Sequence, residues 1–454
     1  MGDFRLLRFA FALGCEIALC AALNLYDDWT LQEMPVRFVT CGIACGFAFL
    51  FATTNYPSWL SVRKQAVIFW GVAIVLRLVA LPIEPGDDFW RYQWEGKIQH
   101  AGFNPYVTAP NDPSLTELRD RFPHFYKINH RDFRAIYPPG AELLFSALSR
   151  LSAGPLLYKL LFTAADLGTA ALLLLLVRRE ARYEDAAWYA WNPLVVYSFA
   201  GSAHFDSLMV LPMVAGILFL VRHERALDAR ARWMTAGAAA ALFGIAISIK
   251  LIPLLLLPLC VFALGRRAVT LVLSVGIPGV LSLIYGYPQI DIWDSLGSFA
   301  YITRLNDLFW WIIEETVWPN YRQKNYQYNV IIMIVVLLVS LAFWRNWRRG
   351  MLWVLGAALI LTPVLHPWYL TWILPLAAWR RAQPWQMLSV TLFAYFLFWN
   401  ERLFMLPWRA ELWMRGIIIL PPVVATIAYF ARERGSAVAV GEDASFPSVR
   451  NTGS

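Results

Sequence analysis

Hydrophobic residues form long windows that recur from residue 7 nearly to residue 431. Many approach the roughly 17 to 20 residues that an α-helix needs to cross the hydrocarbon core of a bilayer. The pattern predicts an all-α polytopic membrane protein with about 11 to 14 transmembrane helices, some of them broken or half-inserted because their windows are short. The windows are 7–26, 37–54, 65–83, 157–177, 186–200, 206–221, 233–249, 251–264, 268–286, 328–344, 351–364, 367–379, 386–400 and 416–431.

Composition agrees with this interpretation. Of the 454 residues, 59% are hydrophobic and 15% are charged, whereas soluble domains carry about 25% charged residues. The net charge of +8 does not indicate a nucleic-acid partner, because Lys and Arg lie in short clusters beside the apolar windows. The positive-inside rule assigns these clusters, and both termini, to the cytoplasm. The expected partner is therefore the lipid bilayer.

The pattern divides the chain into three parts. Residues 1–64 form an N-terminal transmembrane pair, residues 65–431 form the main membrane domain, and residues 432–454 form a disordered cytoplasmic tail. The main domain contains a polar segment, 84–139, that we call the extracytoplasmic loop. Connections in compact domains are usually about 4 to 6 residues long, so a loop of this length predicts a functional role.

Several unusual polar residues lie between the basic clusters and therefore fall on the extracytoplasmic side. Random placement would distribute them over both membrane faces, so their common side predicts a shared site. They are Asp87, Asp88, His204, Asp206, Lys250, Arg304, Asn306 and His366.

Asp87 and Asp88 follow a long apolar run directly. They either start a helix in the loop, since Pro-Gly-Asp is a good capping sequence, or one of them accepts a proton from a substrate hydroxyl. The nearby aromatic residues Tyr92 and Trp94 are suited to stacking on a sugar ring or to the membrane interface. Adjacent residues on a helix point in different directions, so we expect the two acids to have different tasks.

Lys250 interrupts an apolar stretch, where a charge costs roughly 2.5 to 3.5 kcal/mol or more unless it reaches water or a counter-ion. It either extends to the membrane surface or binds the phosphate of a lipid-linked substrate at the headgroup level. His366, before Pro367, is either a hydrogen-bonded core residue or a ligand for a phosphate or hydroxyl. His204 and Asp206 either cap the next helix or bind a hydroxylated substrate.

Five segments together resemble the polytopic C-type (GT-C) glycosyltransferases. They are most similar to the polyprenyl-phosphate-mannose-dependent branch that contains the phosphatidylinositol mannoside mannosyltransferases. The resemblance covers roughly residues 65–431 and rests on the order and spacing of the segments. They are DDFWRYQWEGKIQHAGFNPY, YPPGAELLF, WNPLVVYSFAGSAHFDSLM, SIKLIPLLLLP and LHPWYLTWILPL.

The resemblance implies a catalytic base in the extracytoplasmic loop, with Asp88 as first candidate and Asp87 as second. It implies that Lys250 and His366 engage the donor phosphate, with Arg304 adding charge. The remaining predicted residues would line the substrate pocket. They are Tyr92, Trp94, Tyr137, His204 and Asp206.

The implied reaction is an inverting displacement in which a sugar, expected to be mannose, moves from a polyprenyl phosphate to an acceptor hydroxyl. The acceptor class stays open among glycolipid, glycan and protein. No cofactor is required, and a divalent metal at the adjacent aspartates is a less favoured alternative. The implied location is the bacterial cytoplasmic (inner) membrane, with the active site on the periplasmic side.

A second function class is a lipid or sugar transporter or flippase, which would also have many spans and broken helices. A transporter predicts internal repeats and no large acidic and aromatic external loop. We find no repeat by inspection, and the extracytoplasmic loop favours the enzyme.

Overall fold

The computed structural model of the chain describes residues 2–29, 31, 33–151, 154–177, 182–320, 325–399 and 411–443. Within these ranges the regular structure is helical, and the extended pairing is an isolated bridge between Leu305 and Val364. The predicted all-helical fold is thus confirmed. The α-helices are Gly2–Ala22 (α1), Met34–Thr54 (α2), Val62–Ala80 (α3), Asp87–His100 (α4), Thr116–Asp120 (α5), Pro139–Leu151 (α6), Pro155–Leu176 (α7), Arg182–Ala190 (α8), Pro193–Val196 (α9), Ser207–Arg225 (α10), Ala229–Ile249 (α11), Leu257–Leu264 (α12), Val272–Ile284 (α13), Asp294–Ile302 (α14), Trp310–Thr316 (α15), Tyr326–Ala342 (α16), Trp347–Leu361 (α17), Leu374–Arg380 (α18), Gln383–Thr391 (α19) and Leu412–Asp443 (α20).

Seven helical segments in the described ranges are long and apolar enough to cross a membrane. This confirms a polytopic membrane protein. Among the other predicted spans, α16 has 17 residues, and the window 367–379 divides into a 3₁₀ helix and α18. The seven segments are Phe4–Leu25, Met34–Thr54, Pro155–Leu176, Ser207–Arg225, Ala229–Ile249, Ile252–Ile284 and Leu412–Ala431.

The last helix is longer than the sequence predicts. Although we expect a disordered tail from residue 432, α20 extends to Asp443. Extending an existing helix adds one hydrogen bond per residue without a new nucleation step, so the helical backbone continues beyond the apolar window. Residues 444–454 of the expected tail lie outside the described residues.

The helices pack against neighbours in sequence and against helices further along the chain. α1 packs on α2, α10 packs on both α7 and α11, and α11 packs on α13. Their facing side chains form one large apolar core, which includes Phe38, Trp191 and Met213. This helical body carries the extracytoplasmic loop at one end.

A buried ion pair connects two helices of the body. Arg77 of α3 donates through Nε to Asp166 Oδ2 of α7 at 2.8 Å, and the side chains are 2% and 0% exposed. Arg77 also donates to the carbonyl of Ala190 at the end of α8. The pair explains how α3 accommodates a charged residue among apolar neighbours.

The chain breaks at Lys250. Helix α11 ends at Ile249, Lys250 is extended with φ −156° and ψ 140°, and a 3₁₀ helix follows at Ile252–Leu256. Pro253 favours the break because it has no N–H to donate to the carbonyl of Ile249, four residues earlier, and its ring would collide with that carbonyl in a continuous α-helix. The predicted break at Lys250 is therefore present.

The extracytoplasmic loop is folded onto the helical body. It contains α4, which packs on α6, and α5. The backbone N–H of Gly86 donates to Ser202 O at 2.9 Å, and the buried ammonium of Lys159 donates to Leu81 O at 2.8 Å. These bonds fix the position at which α4 begins.

Gly96 allows the close crossing of α4 and α6. A β-carbon at Gly96 would collide with the carbonyl oxygen of Phe145 and would lie 2.5 Å from Ser149 Oγ. We expect Gly96→Ala to lower the free energy of unfolding by about 1–3 kcal/mol, because overpacking forces the two helices apart. Thermal unfolding of the detergent-solubilised protein measures the change.

Gly71→Ala is the matched control, since a β-carbon at Gly71 in α3 meets nothing within 4 Å. It should be neutral or stabilise by up to about 1 kcal/mol through helix propensity. Equal destabilisation by both variants would contradict the close-packing argument.

Candidate active site

A cavity of about 1310 Å³ lies between the extracytoplasmic loop and the segments of the helical body that bear the predicted polar residues. Eight of the ten predicted site residues line it. Four belong to the extracytoplasmic loop, and the other four come from widely separated positions in the sequence. The eight residues are Asp87, Asp88, Tyr92, Tyr137, His204, Lys250, Arg304 and His366.

Asp88 is a partly buried acid of the cavity wall. Its Oδ1 accepts a hydrogen bond from Asn129 Nδ2 at 2.7 Å, and its Oδ2 lies 3.7 Å from His204 Nδ1. The side chain is 19% exposed. Burial, and after it the neighbouring Asp87 carboxylate, raises the pKa of Asp88 to about 7. A carboxyl group in this range can exchange a proton near neutral pH.

Asp87 has a different environment. Gly86 occupies the N-cap position of α4, and Asp87 Oδ1 accepts from the backbone N–H of Asp88 at 3.1 Å. Both acids lie in the first turn, where the helix dipole favours negative charge. The two sequence interpretations are therefore compatible: the acids start a loop helix and also line the cavity.

Lys250 forms an ion pair at the cavity wall. Its ammonium group donates to Asp206 Oδ1 at 2.6 Å and lies 4.8 Å from the ring centre of Tyr369 and 4.9 Å from that of Trp372. Trp372 Nε1 also donates to Asp206 Oδ1, at 2.6 Å. The aromatic rings attract the cation, and the lysine side chain keeps 17% exposure.

Asp206 lies behind Lys250 and is not among the residues that line the cavity. It stands at the N-cap position of α10, but its side chain makes no capping hydrogen bond. Its buried carboxylate therefore serves Lys250 and Trp372, and the capping interpretation of this side chain is wrong.

Two histidines stack on one tryptophan. The ring centre of Trp368 lies 3.7 Å from that of His204 and 4.4 Å from that of His366, with interplanar angles of 18° and 9°. His366 Nδ1 also shares a hydrogen bond with the Tyr395 hydroxyl at 2.9 Å.

Both imidazoles are kept neutral. Burial, and after it the Lys250 ammonium, lowers the pKa of His204 well below its ordinary value and that of His366 to about 3. A neutral imidazole has one donor and one acceptor nitrogen, so each ring can hydrogen-bond a hydroxyl or phosphate oxygen.

The backbone around His204 is unusual. A π-helical turn, Tyr197–Gly201, precedes it, and Ala203 has φ +60° in the left-handed region. π-turns and strained residues of this kind recur at functional sites. Here they direct His204 towards Asp88.

Arg304 lines the cavity with its charge already engaged. Its guanidinium donates to Asp307 Oδ2 at 3.0 Å and to Glu314 Oε1 at 2.5 Å. The sequence predicts Arg304 as a donor-binding residue but does not predict these two carboxylates.

Tyr92 and Trp94 have separate positions. Tyr92 is almost fully buried, stacks on Phe145 at 4.7 Å and supports the cavity wall. Trp94 packs 5.4 Å from Phe122 and 5.1 Å from Phe125 and does not line the cavity. We correct its expected position: six residues after Asp88, it lies on the part of α4 that packs within the loop.

Sequence reasoning missed several residues of the site. Trp368, Tyr369 and Trp372 stand in the segment PWYLTW next to His366, and their aromatic spacing was a usable signal. Asn129 had no such signal, because it lies in an irregular part of the loop and meets Asp88 only in the folded chain.

An all-helical membrane body with an acid, a lysine and two histidines around one cavity fits the class of membrane-embedded enzymes. Within that class the chain belongs to the MptA_B family: the family model described as alpha-(1->6)-mannopyranosyltransferase, N-terminal domain, matches residues 27–266. The predicted resemblance to GT-C mannosyltransferases is confirmed, and the protein is a glycosyltransferase. Comparison with curated proteins found no match, and comparison with solved structures found none.

The Lys250–Asp206 pair predicts unequal effects of removing its two charges. Lys250→Met leaves a buried carboxylate without its counter-ion, which typically lowers the free energy of unfolding by about 3–5 kcal/mol. Asp206→Asn should destabilise less, because the ammonium still reaches the cavity. Thermal unfolding of both variants and of the double variant checks this, and the double variant should recover part of the loss. Additive losses would show that the pair is not coupled.

Proposed function

We propose that the protein transfers mannose from a polyprenyl-phosphate-linked donor to an acceptor hydroxyl on the extracytoplasmic side of the membrane. The observation that carries this proposal is the cavity in which the Asp88 carboxyl, the Lys250 ammonium and two neutral imidazoles meet. Family membership supports the sugar and the enzyme class. The transporter alternative gains no support from the family or from the cavity.

Asp88 acts as the general base. As the acceptor oxygen attacks the anomeric carbon, its proton passes to the Asp88 carboxylate and the bond from that carbon to the phosphate oxygen breaks. The polyprenyl phosphate leaves with the bonding electrons, and the single displacement inverts the configuration. The ordinary aspartate carboxylate is a weak base, and a pKa of about 7 for Asp88 matches the task at neutral pH.

Lys250 binds the phosphate of the donor. Its ammonium is anchored on one side by Asp206 and retains exposure to the cavity on the other. The charge that develops on the leaving phosphate is stabilised there and by one hydrogen bond from the neutral His366 imidazole. Arg304 contributes less, since Asp307 and Glu314 already neutralise it. With Lys250 and His366 stabilising the phosphate, the proposed reaction requires no metal ion.

The walls of the cavity suit a sugar and a hydrocarbon chain. Trp90, Trp368 and Tyr369 line it and offer faces on which a pyranose can stack. Leu296, Phe299 and Ile302 are spaced three residues apart on α14 and line the same cavity. This apolar helix face fits the first isoprene units of the donor. His204, between Trp368 and Asp88, is placed to orient the acceptor hydroxyl.

We place the protein in the bacterial cytoplasmic membrane, as the family resemblance implies, and the positive-inside rule favours a periplasmic position for the cavity. The acceptor stays open among glycolipid, glycan and protein. Its hydroxyl must reach Asp88 from the aqueous side of the extracytoplasmic loop.

The role of Asp88 is tested with purified protein, polyprenyl-phosphate-linked mannose and a mannoside acceptor. We expect Asp88→Asn to reduce kcat/KM by a factor of about 10²–10⁴, the usual contribution of a general base, and Asp87→Asn to reduce it less. Asp120→Asn, an exposed position at the end of α5, is the matched control and should retain full transfer. Wild-type rates in Asp88→Asn would refute the assignment.

The pH dependence follows from the raised pKa of Asp88, which is about 7. Only the ionised carboxylate accepts a proton, so kcat/KM should fall about tenfold per pH unit below 7 and level off above it. Steady-state rates across this range, with stability checked at each pH, measure the profile. A rate that is constant through pH 7, or that increases towards acid, would contradict a basic role for this carboxyl.

A further inference from the structure

Arg91 is a buried guanidinium one helical turn beyond Asp88. It is 3% exposed, and its Nε donates to Glu95 Oε1 at 2.8 Å. Its two terminal nitrogens turn towards the irregular segment 129–134, which we call the clamp segment. They donate to the backbone carbonyls of His130 at 2.9 Å, Phe133 at 2.7 Å and Arg134 at 2.8 Å.

These bonds hold a segment that has no regular secondary structure of its own. His130 has φ +46°, in the left-handed region that non-glycine residues rarely adopt. Such a conformation persists where surrounding contacts determine it, and the planar fork of arginine supplies several donors in a fixed geometry that a lysine ammonium lacks. Arg91 therefore fixes the clamp segment against α4.

The clamp segment begins with the residue that touches Asp88. Asn129 Nδ2 donates to Asp88 Oδ1 at 2.7 Å, and Asn129 lines the cavity. A hydrogen bond to a carboxylate favours the ionised form, whereas burial and a neighbouring negative charge oppose it. Other titratable groups lie close enough to interact electrostatically with the Asp88 carboxylate. They are Asp87, Tyr92, Tyr137, His204, Asp206, Lys250, Tyr369 and Tyr395.

We propose that Asn129, presented by Arg91, is the positioning residue that orients the Asp88 carboxylate and keeps it ionised for proton abstraction. The proposal rests on the assignment of Asp88 as general base. Asn129 itself forms no bond to the reacting atoms; it directs Oδ1 towards the clamp segment and leaves Oδ2 facing His204 and the cavity.

The test is the pH profile of mannose transfer by Asn129→Leu, with Asn129→Ala as a smaller second variant. Loss of the donor should move the midpoint of kcat/KM about one pH unit or more towards alkali, with much of the wild-type rate recovered at high pH. Arg91→Lys should shift the midpoint in the same direction, because the clamp segment loses its fixed donors.

Asn55→Leu is the matched control. Asn55 follows α2, outside the extracytoplasmic loop; its side chain donates to Phe51 O at 2.8 Å and does not line the cavity. Its profile should equal that of the wild type. A uniform loss of transfer at every pH in Asn129→Leu and Asn129→Ala, with an unmoved midpoint, would overturn the proposal.

An activity-independent measurement separates this inference from the proposed function. Infrared titration of the protonated carboxyl band that disappears in Asp88→Asn follows Asp88 without substrate. An alkaline shift of that midpoint in Asn129→Leu supports the positioning role even if the wild type transfers no mannose, an outcome that would reject only the proposed function. An unchanged infrared midpoint would reject the positioning role whatever the transfer assay shows.

Discussion

The candidate site depends on one constraint: the ammonium group of Lys250, at the end of the apolar helix α11, has to be stabilised. Lys250 cannot remain charged among hydrocarbon without a counter-ion or water, and the fold provides both through Asp206 and the cavity. The helix break at Ile249 brings the lysine to this position, and the aromatic rings of Tyr369 and Trp372 lie against its ammonium group. The other residues of the site surround the Lys250–Asp206 pair.

The same environment explains the contrast between the acid and the imidazoles. A nearby cation and low exposure both disfavour histidinium, so His204 and His366 stay neutral beside Trp368. Burial also disfavours the Asp88 anion, but Asn129 and the cation oppose that effect, and the pKa comes to about 7. The same surroundings thus keep the two imidazoles uncharged and give the Asp88 carboxyl a pKa near neutrality.

The sequence predicted what depends on local pattern and on membrane sidedness. Apolar windows located the long helices, and the charge clusters placed Asp88, Lys250 and His366 on a common side, where the fold brings them to one cavity. It did not predict partners that meet only through tertiary structure. Asn129 lies 41 residues after Asp88 in the sequence but donates a hydrogen bond to its carboxylate. Arg304 forms an ion pair with Glu314 of α15. Trp94 shows the reverse, since proximity in sequence to Asp88 did not bring it to the cavity.

The Arg77–Asp166 pair has a consequence for how the chain enters the membrane. The two residues are 89 positions apart, so α3 is synthesised well before the carboxylate that neutralises its guanidinium. An unpaired arginine is strongly disfavoured in hydrocarbon, and Asp166 supplies the charge that balances Arg77. The stable position of α3 among its apolar neighbours therefore depends on α7, a helix that is synthesised later.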